Sequence, residues 1–304
     1  MIIILCFVLG ASVFLAWHFL EYNFIKKYAI ETNFVRQNCL ITGGSSGIGL
    51  EIARFFIRDG FNVFIISIED EDNTKKAKQY LQKFNIHNVT ISFIHFDLSS
   101  GDDQREELWR KLTNNNKIKI SHLVNNAGFG VLGPFSSVSW QDHSRCIEVN
   151  VRAMSHLSHM FIRQKEIQVR RIMHTSSIGS LYPCSNFLVY GCTKSFIKNM
   201  SYGLRCESNC HNQESKLTIT TLLPGVTSTP LLTKSKFNSA NFFNILPVLS
   251  AEDVAQCAYY HMMCGHSYAI PGLFNKFVVF GLMFCPEWIS SRLSEMMMRL
   301  PTKG

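Results

Sequence analysis

The chain has 304 residues, of which 46% are hydrophobic and only 17% charged. That composition suits one large domain with appendages and excludes long disordered tails. A net charge of +8 fits a solvated basic surface, attraction to anionic lipid, or a phosphate-bearing ligand. No basic run with interleaved aromatics points to nucleic acid. The chain opens on an almost wholly apolar stretch, Met1 to Leu20, about the length that crosses a bilayer as a helix. A cleaved secretory signal and a buried core helix are competing readings. No Lys or Arg precedes the apolar core and its far end is bulky, which favours a retained single-pass anchor over residues 1–22. Lys26 and Lys27 follow it and orient the remainder towards the cytosol.

Asn38 to Ile41 reads as a short buried strand. It runs into Thr42-Gly43-Gly44-Ser45-Ser46-Gly47-Ile48-Gly49 and then a helix from Leu50 with an apolar stripe. A strand, a glycine-rich turn and a helix make the first half of a dinucleotide-binding unit, although an ordinary Gly-Ser turn has the same local pattern. Phe61 to Ser67 is the second expected strand. An acid at its end would bond an adenosine ribose, and an Arg would accommodate a 2′-phosphate. Here stand Ser67, Ile68, Glu69 and Asp70, so neither pattern is clean. Lys75 and Lys76 read as a solvated helix face.

Further expected strands are Val89–Phe96, Ile118–Val124, Arg171–Thr175 and Leu217–Leu223. They alternate with helices over Asp102–Leu112, over Trp140–Phe161 with Asn150 in its middle, and over a segment carrying Tyr190 and Lys194. The alternation predicts an α/β fold, a Rossmann-type doubly wound parallel sheet in a single domain over 37–270. Residues 271–304 break that rhythm. Their run Phe277–Cys285 is too short for a confident span. It reads either as a last buried strand or helix, or as an element associated with membrane or substrate. The 10 Cys are loosely spaced. Cys206, Cys210 and His211 are the nearest approach to a ligand cluster, at helical spacing, so no metal is expected and the thiols should be reduced.

With these residues in view, the chain resembles the short-chain dehydrogenase/reductase family over roughly Gln37 to Ala269. The loop Gly43, Ser45, Ser46, Gly47, Ile48 and Gly49 resembles that family's cofactor loop. Asn125-Asn126-Ala127-Gly128 resembles its sheet-stabilising motif. Asp97-Leu98 is similar to the pair beside the adenine ring, and Pro224-Gly225 with Thr229 to the segment at the nicotinamide end. Asn150, Ser177, Tyr190 and Lys194 resemble its catalytic tetrad in order and spacing. The resemblance implies that Tyr190 is the acid/base, that Lys194 bonds the nicotinamide ribose, that Ser177 fixes the substrate oxygen and that Asn150 holds a relay water. Lys194, one helical turn from Tyr190, would lower the phenol pKa from about 10. Singly each of these residues has a bland reading, as a cap, a half-exposed helix face or a solvated amide. Order and spacing together outweigh those readings.

His95, His143, His156, His159 and His174 receive no role. Cys192 and Thr193 depart from the small residues commoner in the family at those positions. The neutral Ser67 favours NADP(H), with NAD(H) admitted. An anchor before a cytosol-facing domain resembles the family's lipid-handling branch at the endoplasmic reticulum, with 3-ketosphinganine, 3-oxoacyl or steroid-type ketones as substrates. Asn126–Gly130 and Pro271–Lys276 resemble a bacterial-type branch as well. Expected partners are an apolar ketone or alcohol, membrane lipid and, admitted, a second copy of the chain. The alternative is a membrane-tethered nucleotide-binding scaffold without turnover.

Overall fold

The computed structural model describes residues 37–115, 117–164, 167, 169–210, 216–230 and 247–298. The expected anchor over 1–22 and the last residues of 271–304 lie outside them. Among the described residues no helix is long and apolar enough to cross a membrane.

The strands are β1 (Asn38–Thr42), β2 (Asn62–Ser67), β3 (Ile91–His95), β4 (His122–Asn125), β5 (Val169–Thr175), β6 (Lys216–Leu222) and β7 (Tyr268–Ala269). All pairings between them are parallel, in the order β3-β2-β1-β4-β5-β6-β7. The order reverses between β1 and β4, and a crevice opens there at the carboxyl ends of the strands. The strands are apolar on both faces because helices cover both. Cys39 and Ile41 of β1, with Val63 and Ile65 of β2, join one core cluster. Leu40 and Ile66, from alternate positions, join the other.

The helices are α1 (Gly47–Arg58), α2 (Glu71–Gln82), α3 (Asp102–Leu112), α4 (Trp140–Ile147), α5 (Met154–Ile162), α6 (Leu188–Cys210), α7 (Ala251–Cys264), α8 (Leu273–Phe284) and α9 (Glu287–Met298). Caps explain several starts: Asp70, Ser139 and Ser250 each accept a bond from the backbone N–H three residues on.

Two expectations need correction. β4 begins at His122 rather than Ile118. The helix expected over Trp140–Phe161 is interrupted by a π-helical segment, Glu148–Ala153, between α4 and α5. The C-terminal run Phe277–Cys285 belongs largely to α8, whose Val279 packs with Ile178 and Leu223.

Candidate active site

The crevice begins where β1 turns into α1. Gly43 has φ +63°, and a methyl group on it would lie 2.9 Å from the Ala127 Cα. A methyl group on Gly49 would lie 2.3 Å from the Gly43 oxygen, so the loop closes tightly over the helix start. Ser46 caps α1 in extended conformation but its side chain makes no cap bond. The first-turn N–H groups therefore suit an anion such as a pyrophosphate. The β4 loop is stitched to this turn. Thr42 Oγ1 accepts from the Asn126 and Ala127 N–H groups, each at 3.0 Å, and Asn126 Nδ2 donates to the Thr42 and Gly43 oxygens.

At the end of β2 the Ser67 and Ser45 hydroxyls lie 2.6 Å apart, and Ser67 Oγ accepts from the Glu69 N–H. Asp70 is occupied in capping α2. Across the crevice Asp97 pairs with Arg145 at 3.2 Å. Partial burial opposes its charge, but the Ser99 N–H and hydroxyl, with Arg145, hold the Asp97 carboxyl below its ordinary range.

The opposite end carries Ser177, Tyr190 and Lys194. Tyr190 lies in the first turn of α6 and Lys194 one turn later, so both face the crevice. The Tyr190 ring stacks on Phe187 with centroids 4.1 Å apart. Lys194 Nζ lies 5.4 Å from the centre of the Tyr190 ring and donates to the Thr175 oxygen at 2.8 Å. Burial pushes the Lys194 ammonium down to about 8. Burial pushes the Tyr190 phenol well above its ordinary value, with Cys146 and Cys184 adding to the rise and a hydrogen bond with Ser177 opposing it. The phenol is therefore raised by desolvation, where a lowering by Lys194 was expected.

Asn150 sits in the π-helical segment and is fully buried. Its Oδ1 accepts from the Phe129 N–H at 2.9 Å. Its Nδ2 donates to the Phe129 oxygen at 2.8 Å and to Thr193 Oγ1 at 2.9 Å. The side chain clamps the strand-end loop rather than touching Lys194. Thr193, which departs from the commoner small residue, closes that clamp by donating to the Tyr190 oxygen at 2.7 Å.

One cleft of about 860 Å³ connects these ends. Gly43, Ser45, Ser46, Gly47, Ile48, Ser67, Asp97, Leu98, Ala127, Gly128, Ser177, Tyr190, Lys194, Pro224, Gly225 and Thr229 all line it. Gly49, Asn125 and Asn150 do not. Asn125 instead donates to Ser158 Oγ at 3.0 Å, and Ser158 bonds His174. Burial pushes His174 down to about 3, which leaves it neutral within that network. Sequence reasoning missed Phe129, Arg145, Tyr182, Cys184 and Phe187 in the lining. No spacing rule marks them, because Phe129, Tyr182, Cys184 and Phe187 give the wall only its shape and Arg145 is placed by its tertiary pairing with Asp97.

The family model described as short chain dehydrogenase matches residues 37–239. Serine 3-dehydrogenase of Agrobacterium fabrum (strain C58 / ATCC 33970) is 29% identical over 73% of this chain and 86% of its own. Among solved structures, the bulky-bulky ketone specific alcohol dehydrogenase from Comamonas testosteroni is 26% identical, with a TM-score of 0.64 over 83% of this chain and 94% of that one. A short-chain dehydrogenase from Sphingobium yanoikuyae in complex with NADPH shares the fold at 23% identity, with a TM-score of 0.68 over 81% and 95% of the two chains.

Proposed function

The chain belongs to the short chain dehydrogenase family of oxidoreductases, and from that premise we propose that it interconverts a ketone and a secondary alcohol on an apolar, lipid-like substrate. The observation that carries this reading is that Ser177, the Tyr190 phenol and the buried Lys194 line one end of a single cleft, walled there by Leu132, Val138, Tyr182 and Phe187. The glycine turn and the uncapped start of α1 fit a dinucleotide pyrophosphate. A reduced nicotinamide, when bound, supplies the hydride.

The residues of the chain supply the rest. Ser177 holds the carbonyl oxygen beside the phenol, and Tyr190 gives that oxygen its proton. The raised phenol pKa keeps Tyr190 protonated and able to donate through the neutral range. Lys194, near 8, carries a proton at neutral pH and can replace the one Tyr190 gives up. Asn150 and Thr193 fix the Phe129 backbone above the site. NADP(H) is preferred because Ser67 presents a hydroxyl where an NAD-selective acid would stand, and Asp70 is spent on a cap. Met1 to Leu20 anchors the chain as a single pass at the endoplasmic reticulum, with the catalytic domain in the cytosol. Its apolar length and the following Lys26 and Lys27 support this.

Turnover of a ketone panel by the full chain in detergent tests the reading. Long-chain or steroid-type ketones should exceed short ones by at least ~10-fold in kcat/KM, about 1.4 kcal/mol of added transition-state binding, with NADPH better than NADH. Equal rates on short and long ketones would sink the apolar substrate, and preference for NADH would make Glu69 the ribose partner.

A further inference from the structure

The two C-terminal helices turn polar groups inward and aromatic groups outward. α8 buries Asn275, Lys276 and Val279, while Phe277 is 57% exposed and Phe284 74%. Positions 273, 277, 280 and 284 form one stripe along it. α9 buries Ser290 and Ser294, while Trp288 is 71% exposed and Leu293 and Met296 are also exposed. A water-facing helix normally has the reverse arrangement, and an apolar surface of this extent marks an interaction site. The inner faces reach the cleft walls. A methyl group on Gly225 would lie 2.4 Å from Asn275 Oδ1, so this side chain rests directly on the turn. Ser294 Oγ accepts from the Ser185 N–H at 3.3 Å, between the lining residues Cys184 and Phe187.

We propose that the outer face of α8 and α9 seats on the surface of a lipid bilayer, so that the apolar ketone reaches the cleft from lipid. Trp and Phe are side chains that favour the membrane interface, and the charge of +8 favours an anionic leaflet. The proposal rests on the apolar-substrate reading above and names where that substrate comes from.

The test uses the full chain with phosphatidylcholine/phosphatidylserine vesicles, with and without bromine on the acyl chains. Subtracting the emission of Trp288→Phe from that of the natural chain isolates Trp288. Its emission should fall by at least half in brominated vesicles. The double variant Phe277→Ser/Phe284→Ser should lose at least half of that quenching while keeping its thermal transition. Unchanged Trp288 emission would overturn the proposal, whether a second copy or another segment covers the face. Quenching unaffected by the double variant would also overturn it. Quenching without ketone turnover would strike the substrate reading alone, and turnover without quenching would strike the lipid seat alone.

Discussion

Helices α6 and α8 both bury polar side chains against the cleft, yet they use them differently. In α6, Tyr190 and Lys194 line the cleft where the proposed reaction takes place, and Thr193 braces Asn150. In α8, Asn275 rests on Gly225 and donates to the Pro271 oxygen at 2.8 Å, without lining the cleft itself. On the proposed function, buried polarity serves chemistry in one helix and placement in the other. Substitutions should separate the two.

The largest effect belongs to α6. Tyr190→Phe keeps the ring and its stacking on Phe187 but removes the proton, so kcat should fall by at least ~100-fold, within the range of a lost general acid. Cofactor affinity should hold, as read by fluorescence titration. A variant retaining more than about a tenth of the rate, a barrier change under about 1.4 kcal/mol, would take Tyr190 out of the acid role.

Next comes pH. Lys194, lowered to about 8 by burial, is protonated below that value and neutral above it. Ketone reduction should be flat below about pH 8 and fall ~10-fold per unit above it, as for loss of one essential proton. The phenol, raised above its ordinary value, adds no limb at lower pH. A reduction rate level from about pH 7 to about pH 10, across the whole titration of the ammonium, would remove Lys194 from the proton path.

The smallest effect belongs to α8. Asn275→Ala frees the Gly225 turn and should raise the KM for NADPH about fivefold, equivalent to one hydrogen bond worth ~1 kcal/mol, with kcat within about twofold. A kcat loss as deep as that of Tyr190→Phe would erase the distinction between the helices.

Chemistry makes part of this legible in the sequence. Tyr190 and Lys194 must share a helix face, and the glycines must admit close backbone approach, so their spacing survives in the linear chain. The helix over Asp102–Leu112 is readable for a local reason: acids fill its first turn and bases its last. The π-helical segment at Glu148–Ala153 is not readable. Its residues look helical, and the side chain of Asn150 is held by Phe129, a partner 21 positions away. The Ser45–Ser67 contact is likewise tertiary. The sequence leaves the stripe of α8 open between a buried element and a membrane- or substrate-associated one, because a short apolar run reads equally as strand or helix and burial depends on what packs against it.

Hydride transfer itself is the most direct test of the central claim. The full chain in detergent is given NADPH carrying deuterium at the transferable position of the nicotinamide, together with a long-chain ketone, and the product is weighed by mass spectrometry. The account predicts a secondary alcohol carrying one deuterium on the former carbonyl carbon, formed in step with NADPH oxidation and nearly absent with Tyr190→Phe. NADPH bound but never oxidised, with no labelled alcohol from any ketone of the panel, would contradict it and leave a nucleotide-binding protein without turnover.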